Sequence, residues 1–266
     1  MSKPEPVKIK VKEEDGIIKI DGPTILSSLL NGYPDSTIII YNDPTHEDPP
    51  QFIVYPSLKS ILIGMRVVIE GDWERAISGK VNSIIFDWTY PFIIKRPFHI
   101  ELDDAGTLYL PIENNLKYNT EYSIDEPPIK TPTRFATQLL EILSVPLDEF
   151  PVTIFDILPK KKTEANGLDV QITDREIIIP LLNVNYILPE SLIVATPPEK
   201  GKYDFIRGLY ELRKFLKTTK QKDITTKLKF YISKDGVRRP LLRIDNQFIT
   251  NGKEVYLTTF VSPYVY

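Results

Sequence analysis

The chain contains no cysteine among its 266 residues and only two histidines, His46 and His99. The lack of cysteine excludes disulfides, thiolate metal sites and cysteine nucleophiles. The scarcity of histidine removes most zinc and non-haem iron sites and nearly all Ser-His-Asp arrangements. Most hydrolases and metalloenzymes that depend on these side chains are therefore excluded before any motif is sought.

Phosphate-binding and esterase patterns are also missing. The sequence has neither G-x-x-x-x-G-K-[ST] nor G-x-G-x-x-G after a strand, and its 12 glycines are scattered mostly into turns. The esterase pattern G-x-S-x-G is absent as well. From these patterns we predict no cofactor and no enzymatic activity.

Long apolar runs are lacking too. No run approaches the ~18 apolar residues that cross a bilayer, and the longest, such as residues 37–41, are the size of a strand. Residues 1–6 carry no apolar signal core. We therefore expect no membrane insertion and no secretory peptide, and a location in a cytoplasm or in a virion assembled there.

The composition resembles that of proteins from thermophilic organisms. Methionine is rare, at 2 residues, proline is frequent, at 23, and isoleucine is used heavily. Few oxidisable side chains, many loop prolines and a β-branched core are features of thermophilic proteins. The alternative is that any β-rich protein is rich in isoleucine.

Alternation of apolar and polar residues predicts a β-rich α+β fold with antiparallel hairpins, a C-terminal meander and two or three packed helices. Residues 7–12 alternate valine or isoleucine with lysine, and a turn at 13–16 returns the chain. At Asn251-Gly252 the sequence carries its strongest hairpin motif. A short helix is expected after Gly22-Pro23.

Two further helices define the expected domains. Thr131-Pro132 starts a helix near 132–145, and a longer one is expected near 202–218 with Phe205, Leu209, Leu212 and Leu216 on one face. The polar loop at 159–167 is the predicted boundary between a part at 1–158 and a part at 168–266. One single domain is the alternative.

Carboxylate clusters are the weak catalytic candidates. His46-Glu47-Asp48 lies in a proline-bounded loop, where adjacent side chains rarely converge on one ion. Asp87, Glu101 and Asp103 resemble the carboxylate triples of metal-dependent nucleases. With 36 acidic residues, a β-rich chain offers such triples by chance, so a solvated surface is the favoured interpretation of both.

Charge is unevenly distributed along the chain. Up to Lys130 there are 13 Lys and Arg against 20 Asp and Glu, and from Thr131 on there are 20 against 16. Cations interleaved with tyrosines concentrate at 200–243, which is a pattern that binds phosphates and stacks bases. A solvated helix face and a lysine-protected strand edge form the alternative. The candidate nucleic-acid ligands are Arg213, Lys214, Lys217, Lys220, Lys222, Arg238 and Arg239.

The last residues of the sequence are apolar and aromatic. Such a segment is expected to dock, either in its own sheet or against a neighbouring subunit. Tyrosine suits interfaces because its ring buries area while its hydroxyl keeps a hydrogen bond. Phe260, Tyr264 and Tyr266 are therefore the candidate residues of an oligomer interface.

In composition the chain resembles the orphan proteins of viruses that infect hot-acid archaea. The shared features are the lack of cysteine, the abundance of isoleucine and tyrosine, proline-rich turns and the absence of an enzymatic motif. The resemblance implies a virion component or an interaction factor and assigns no functional residue. The leading hypothesis is a structural or interaction protein that forms a homo-oligomer, and the alternative is a nucleic-acid-binding protein.

Overall fold

The computed structural model describes residues 3–43, 48–57, 61–77, 82–89, 93–111, 117–125, 131–161, 168–195, 197–233 and 239–265. The chain forms two compact units. Unit 1 comprises Met1–Lys59, Ile63–Thr131 and Ile249–Tyr256, and unit 2 comprises Ser60–Leu62, Pro132–Phe248 and Leu257–Tyr266.

Strands dominate the described residues. In chain order they are β1 Glu5–Pro6, β2 Lys8–Glu14, β3 Ile17–Gly22, β4 Ser36–Tyr41, β5 Gln51–Pro56, β6 Ile61–Arg66, β7 Val68–Gly71, β8 Ser83–Trp88, β9 Phe98–Leu102, β10 Thr107–Pro111, β11 Lys117–Ile124, β12 Leu139–Pro146, β13 Asp169–Ile172, β14 Glu176–Ile179, β15 Val184–Ile187, β16 Gly201–Asp204, β17 Thr225–Ser233, β18 Pro240–Thr250, β19 Lys253–Val261 and β20 Tyr264–Val265. The helices are α1 Thr24–Gly32, α2 Trp73–Ala76, α3 Pro132–Thr137, α4 Ile154–Ile157, α5 Glu190–Ala195 and α6 Ile206–Thr219. This confirms the β-rich α+β class, with more helices than the two or three expected.

Unit 1 is built on a sheet in the order β6-β5-β4-β8-β11-β10-β9-β3-β2-β7. The alternating sequence of β2 buries Ile9 and Val11, whose side chains are 0% and 1% exposed. Asp15 and Gly16 both have positive φ, 54° and 77°, so they form the tight turn between β2 and β3. Helix α1 buries Leu26, Leu29 and Leu30 in this unit, as its spacing predicts.

Unit 2 contains two groups of paired strands. β12, β17 and β18 are neighbours in one group, and β15-β14-β13-β16-β20 is the order of a separate five-stranded sheet. Helix α6 is the longest helix in the described part of the chain. Its predicted apolar face is confirmed, because Phe205, Leu209, Leu212 and Leu216 are all 1% exposed or less.

The helix expected near 132–145 is wrong beyond its first turns. Helix α3 ends at Thr137, and Leu139–Pro146 forms strand β12, which pairs with β17. Apolar residues in this segment occur at both helical and alternate spacings, so the pattern was ambiguous. Pairing with a strand far along the chain overrides local helix propensity.

Three other boundaries differ from expectation. Helix α6 begins at Ile206, because residues 201–204 form strand β16. Strand β18 continues through Asp245-Asn246, where a turn was expected, since the Asn246 side chain accepts a hydrogen bond from Thr226. The main segment of unit 2 begins at Pro132 and not at the 159–167 loop, because β12 pairs with β17 inside that unit.

Candidate interaction surfaces

The six predicted nucleic-acid ligands that lie in the described ranges have different environments. Arg213, Lys214 and Lys217 lie on α6, Lys220 caps its C-terminal end and Lys222 follows. Arg239 immediately precedes β18. Arg238 lies outside the described residues.

Arg213 is a structural residue. Its Nη1 donates hydrogen bonds to the carbonyl oxygens of Phe155, at 3.2 Å, and Leu158, at 2.8 Å. Its guanidinium also lies 6.0 Å from the centre of the Phe155 ring. These carbonyls belong to α4 and its C-cap, where helix carbonyls lack partners within the helix. Arg213 therefore joins α4 to α6 and is directed into its own unit.

Two other cations already have acidic partners. Lys214 lies 2.6 Å from Glu211 and 5.2 Å from the centre of the Tyr210 ring. Arg239 Nε lies 3.4 Å from a carboxylate oxygen of Glu199. A phosphate would have to compete with these carboxylates.

Lys217, Lys220 and Lys222 are exposed. Within the described part of the chain, none of the three has an ion pair or side-chain hydrogen bond. Lys217 is in the last turn of α6, Lys220 is its C-cap residue and Lys222 follows two residues later, so all three lie at the C-terminal end of that helix. Cations are stabilised there by the helix dipole, which accounts for their position without any ligand.

Phe260 belongs to the protein's own core. It is 3% exposed and its ring centre lies 5.1 Å from Phe135 and 6.3 Å from Tyr231. Of the two alternatives for this segment, docking within its own unit holds for Phe260, because unit 2 itself covers the ring and leaves it little surface for an oligomer interface. Tyr264 is in β20, which pairs with β16, and Tyr266 lies outside the described residues.

A polar network lies beside this aromatic cluster. Arg243 Nε donates to Asp245 at 2.8 Å, and Thr258 donates to the same carboxylate at 2.9 Å. The Tyr231 hydroxyl donates to Glu141 at 2.8 Å, and burial together with this hydrogen bond raises the pKa of Tyr231. Each charge here is matched by a partner, so the network stabilises the fold and leaves no reactive group.

The suggested carboxylate triple is not a site either. Asp87 accepts a hydrogen bond from Thr37, Glu101 pairs with Lys117 at 2.7 Å, and Asp103 accepts from the backbone of its own turn. His46 and Glu47 lie outside the described residues. Across the described ranges, no group of three or more histidine or acidic side chains is placed to hold a metal ion.

A small cavity of about 300 Å³ lies along β13 and β16. Asp169 and Asp204 occupy directly opposed positions there, and burial and the charge of Asp204 raise the pKa of Asp169. Asp204 also accepts a hydrogen bond from the Ile206 N–H at 2.5 Å, at the start of α6. Asp204, which precedes the N-cap residue Phe205, thus satisfies the first N–H group of α6, and its repulsion with Asp169 is the electrostatic cost of placing a carboxylate there.

The surface that sequence reasoning missed is the edge strand β15. Tyr186 and Val184 lie opposite Ile177 and Ile179 of β14, which are 1% and 0% exposed, yet both β15 residues are only half-buried. Ile187, at the end of the strand and on the opposite face with Asn185, is 72% exposed. The buried face of the sheet therefore opens to solvent along β15.

This edge has few of the usual protective features. Edge strands are normally blunted by being very short, by charged residues, prolines or bulges, or by a covering helix or loop, and β15 is protected by its length of four residues alone. β15 has the sequence VNYI, and its pairing with β14 shows no register shift. The alternation of this segment predicts a strand, but its place at the end of a sheet depends on partners that no local pattern reveals.

No helix in the described ranges is both long and apolar enough to cross a membrane. No protein-family model matches the chain, and no curated protein matches it in sequence. Among solved structures, it is similar to PCNA from Thermococcus kodakaraensis, with 11% identity over 93% of this chain and 99% of that one. The TM-score is 0.39, and at this value the likeness carries no argument about function.

Proposed function

We propose that this protein is a structural or interaction protein that self-associates, and that β15 is the surface through which it does so. The observation that carries the proposal is that β15 has no charged residue and, among the described residues, no partner strand on its outer side, while Ile187 at its end is 72% exposed. An added strand would pair with the backbone groups on that outer side, which is the mode of recognition known as β-augmentation.

The burial available at this edge fits a weak contact. Complete burial of an isoleucine side chain is worth about 1.5–3 kcal/mol, and Ile187, which lies on the exposed face with Asn185, gains less than this because an added strand covers only one flank of it. The half-buried side chains of Val184 and Tyr186 gain further burial from the same added strand. Backbone hydrogen bonds along the strand add to this.

The test is the oligomeric state of Ile187→Lys at several concentrations, measured by analytical ultracentrifugation. We expect the variant to dissociate at least tenfold more readily than the intact chain. Ile93→Lys is the matched control, because Ile93 is 69% exposed in unit 1 and receives the same change of charge and size. An intact protein that remains monomeric at high concentration would refute the proposal.

Nucleic-acid binding is the second candidate function. It is supported by the exposed lysines Lys217, Lys220 and Lys222, which have no acidic partner in the described ranges. Each phosphate contact releases condensed counterions, so affinity should fall steeply with salt. If all three lysines contact phosphates of duplex DNA, replacing them by glutamine flattens the logarithmic salt dependence by about 2–3.

The control for that experiment is a triple replacement by glutamine of exposed lysines in unit 1, at Lys10, Lys12 and Lys95. It changes the net charge by the same amount and leaves α6 intact. Equal weakening by both triples would show nonspecific attraction, and no binding at low salt by the unaltered protein would leave the lysines as helix-end residues only.

A further inference from the structure

The five-stranded sheet of unit 2 has a simple order of directions. All four of its pairings, β15 with β14, β14 with β13, β13 with β16 and β16 with β20, are antiparallel. The two end strands, β15 and β20, are therefore parallel to each other within one copy. This relation limits how a second copy can extend the sheet.

A second copy that keeps its buried face on the same side has two ways to lie beside β15. Translation brings its β20 alongside β15 in the parallel direction. Rotation by 180° about the normal to the sheet brings its own β15 alongside in the antiparallel direction. The second arrangement continues the antiparallel pattern, whose pairing is slightly more stable per residue, and it offers four residues where β20 offers two.

Resting on the self-association proposed above, we infer that the partner of β15 is β15 of a second copy, in a two-fold antiparallel dimer. The interface is isologous, which is the commonest symmetry of soluble oligomers. Two copies then form one ten-stranded sheet around the axis. Leu181, at the other end of the β14–β15 ribbon, stays outside the paired strands.

The alternation of the strand restricts the register. Opposed residues in an antiparallel pair lie on the same face. Asn185 lies opposite Ile178 on the exposed face and Tyr186 lies opposite Ile177 on the buried face. Residues of like face must meet across the axis, so the axis passes midway between one residue and its own copy. Centring on Tyr186, which is half-buried on the buried face, pairs its ring with its own copy and places Ile187 opposite Asn185. Centring on Asn185 also keeps like faces together, but it would instead link position 185 to itself.

The absence of cysteine makes this register directly testable. Disulfides need Cα atoms about 4.4–6.8 Å apart, which directly opposed strand residues satisfy. Under oxidation, Tyr186→Cys should form a covalent dimer with itself. Asn185→Cys and Ile187→Cys should link to each other when mixed, at least fivefold more than either links to itself. Ile93→Cys, at an exposed site in unit 1, gives the background.

A third variant, Tyr264→Cys, tests the translated arrangement. Links between position 264 and positions 185 or 187 would overturn the two-fold dimer in favour of pairing between β15 and β20. An intact protein that dimerises while no β15 cysteine links above background would overturn the inference and place self-association elsewhere. A monomeric intact protein would instead remove the proposed function itself. The side chains changed at positions 93, 185, 186 and 187 are exposed or half-buried, and circular dichroism checks the fold of every variant, including Tyr264→Cys.

Discussion

Replacing Arg213 tests most directly whether a predicted nucleic-acid ligand has a structural role instead. Replacing it by alanine removes two hydrogen bonds, to the carbonyl oxygens of Phe155 and Leu158, from a half-buried guanidinium. Hydrogen bonds to a charged group contribute about 1.5–3 kcal/mol each. The buried Nε of Arg213 has no hydrogen-bond partner within the described residues, which offsets part of that gain. We therefore expect unit 2 to lose about 2 kcal/mol of unfolding free energy.

The assay must follow unit 2. Both tryptophans, Trp73 and Trp88, are in unit 1, so their fluorescence reports on the other unit. Urea unfolding followed by the helical signal in circular dichroism, to which α6 contributes 14 residues, is the better measurement. For a urea dependence of about 2 kcal/mol per molar, the midpoint falls by about 1 M.

Lys217→Ala is the matched control for Arg213→Ala. It removes a cation one turn further along α6, at an exposed position, so its effect should stay within about 0.5 kcal/mol. If the two variants unfold at the same urea concentration, then Arg213 does not join α4 to α6. The residue would return to the set of candidate nucleic-acid ligands.

Three further outcomes are expected. Leu209→Ala should cost about 2–5 kcal/mol in urea unfolding because Leu209 is fully buried in α6, and a near-neutral result would show that the helix is peripheral. Asp169→Asn should raise the melting temperature at pH 7 but not near pH 3. Because the pKa of Asp169 is raised in the folded state, its contribution to the free energy of unfolding is present at low pH and is lost as the pH rises and the carboxyl ionises. Asp223→Asn, at an exposed position, should show no such difference. Finally, the composition predicts a melting midpoint above the mesophilic range of about 45–65 °C, and calorimetry would contradict it with a value inside that range.

Local patterns predicted those elements whose stability is local. The β2–β3 hairpin follows from alternation and from Asp15-Gly16, which adopt the left-handed backbone that such a turn requires. The apolar face of α6 follows from helical spacing alone. In both cases the residues that decide the structure are near neighbours in sequence.

The errors arose where a distant partner decides. Leu139–Pro146 became strand β12 because β17, about 90 residues later, pairs with it. The roles of the candidate cations were also decided by distant partners. Arg213 donates to carbonyls 58 and 55 residues away, and Arg239 pairs with a carboxylate 40 residues away. Sequence reasoning identified a basic stretch correctly but had no means to find which of its charges were already matched.

The two edge strands of unit 2, β12 and β15, are protected to different extents. Strand β12 lies at the end of its own sheet and has eight residues, yet it carries a register shift between Glu141 and Leu143, and Glu141 pairs with Lys229 at 3.0 Å. A bulge and a charge pair on an edge oppose edge-to-edge association. β15, in the same unit, has neither and leaves Ile187 in solvent. Strand β12 is thus protected by a bulge and a charge pair, whereas β15 is protected by its length of four residues alone, and this difference supports the partner strand proposed for β15.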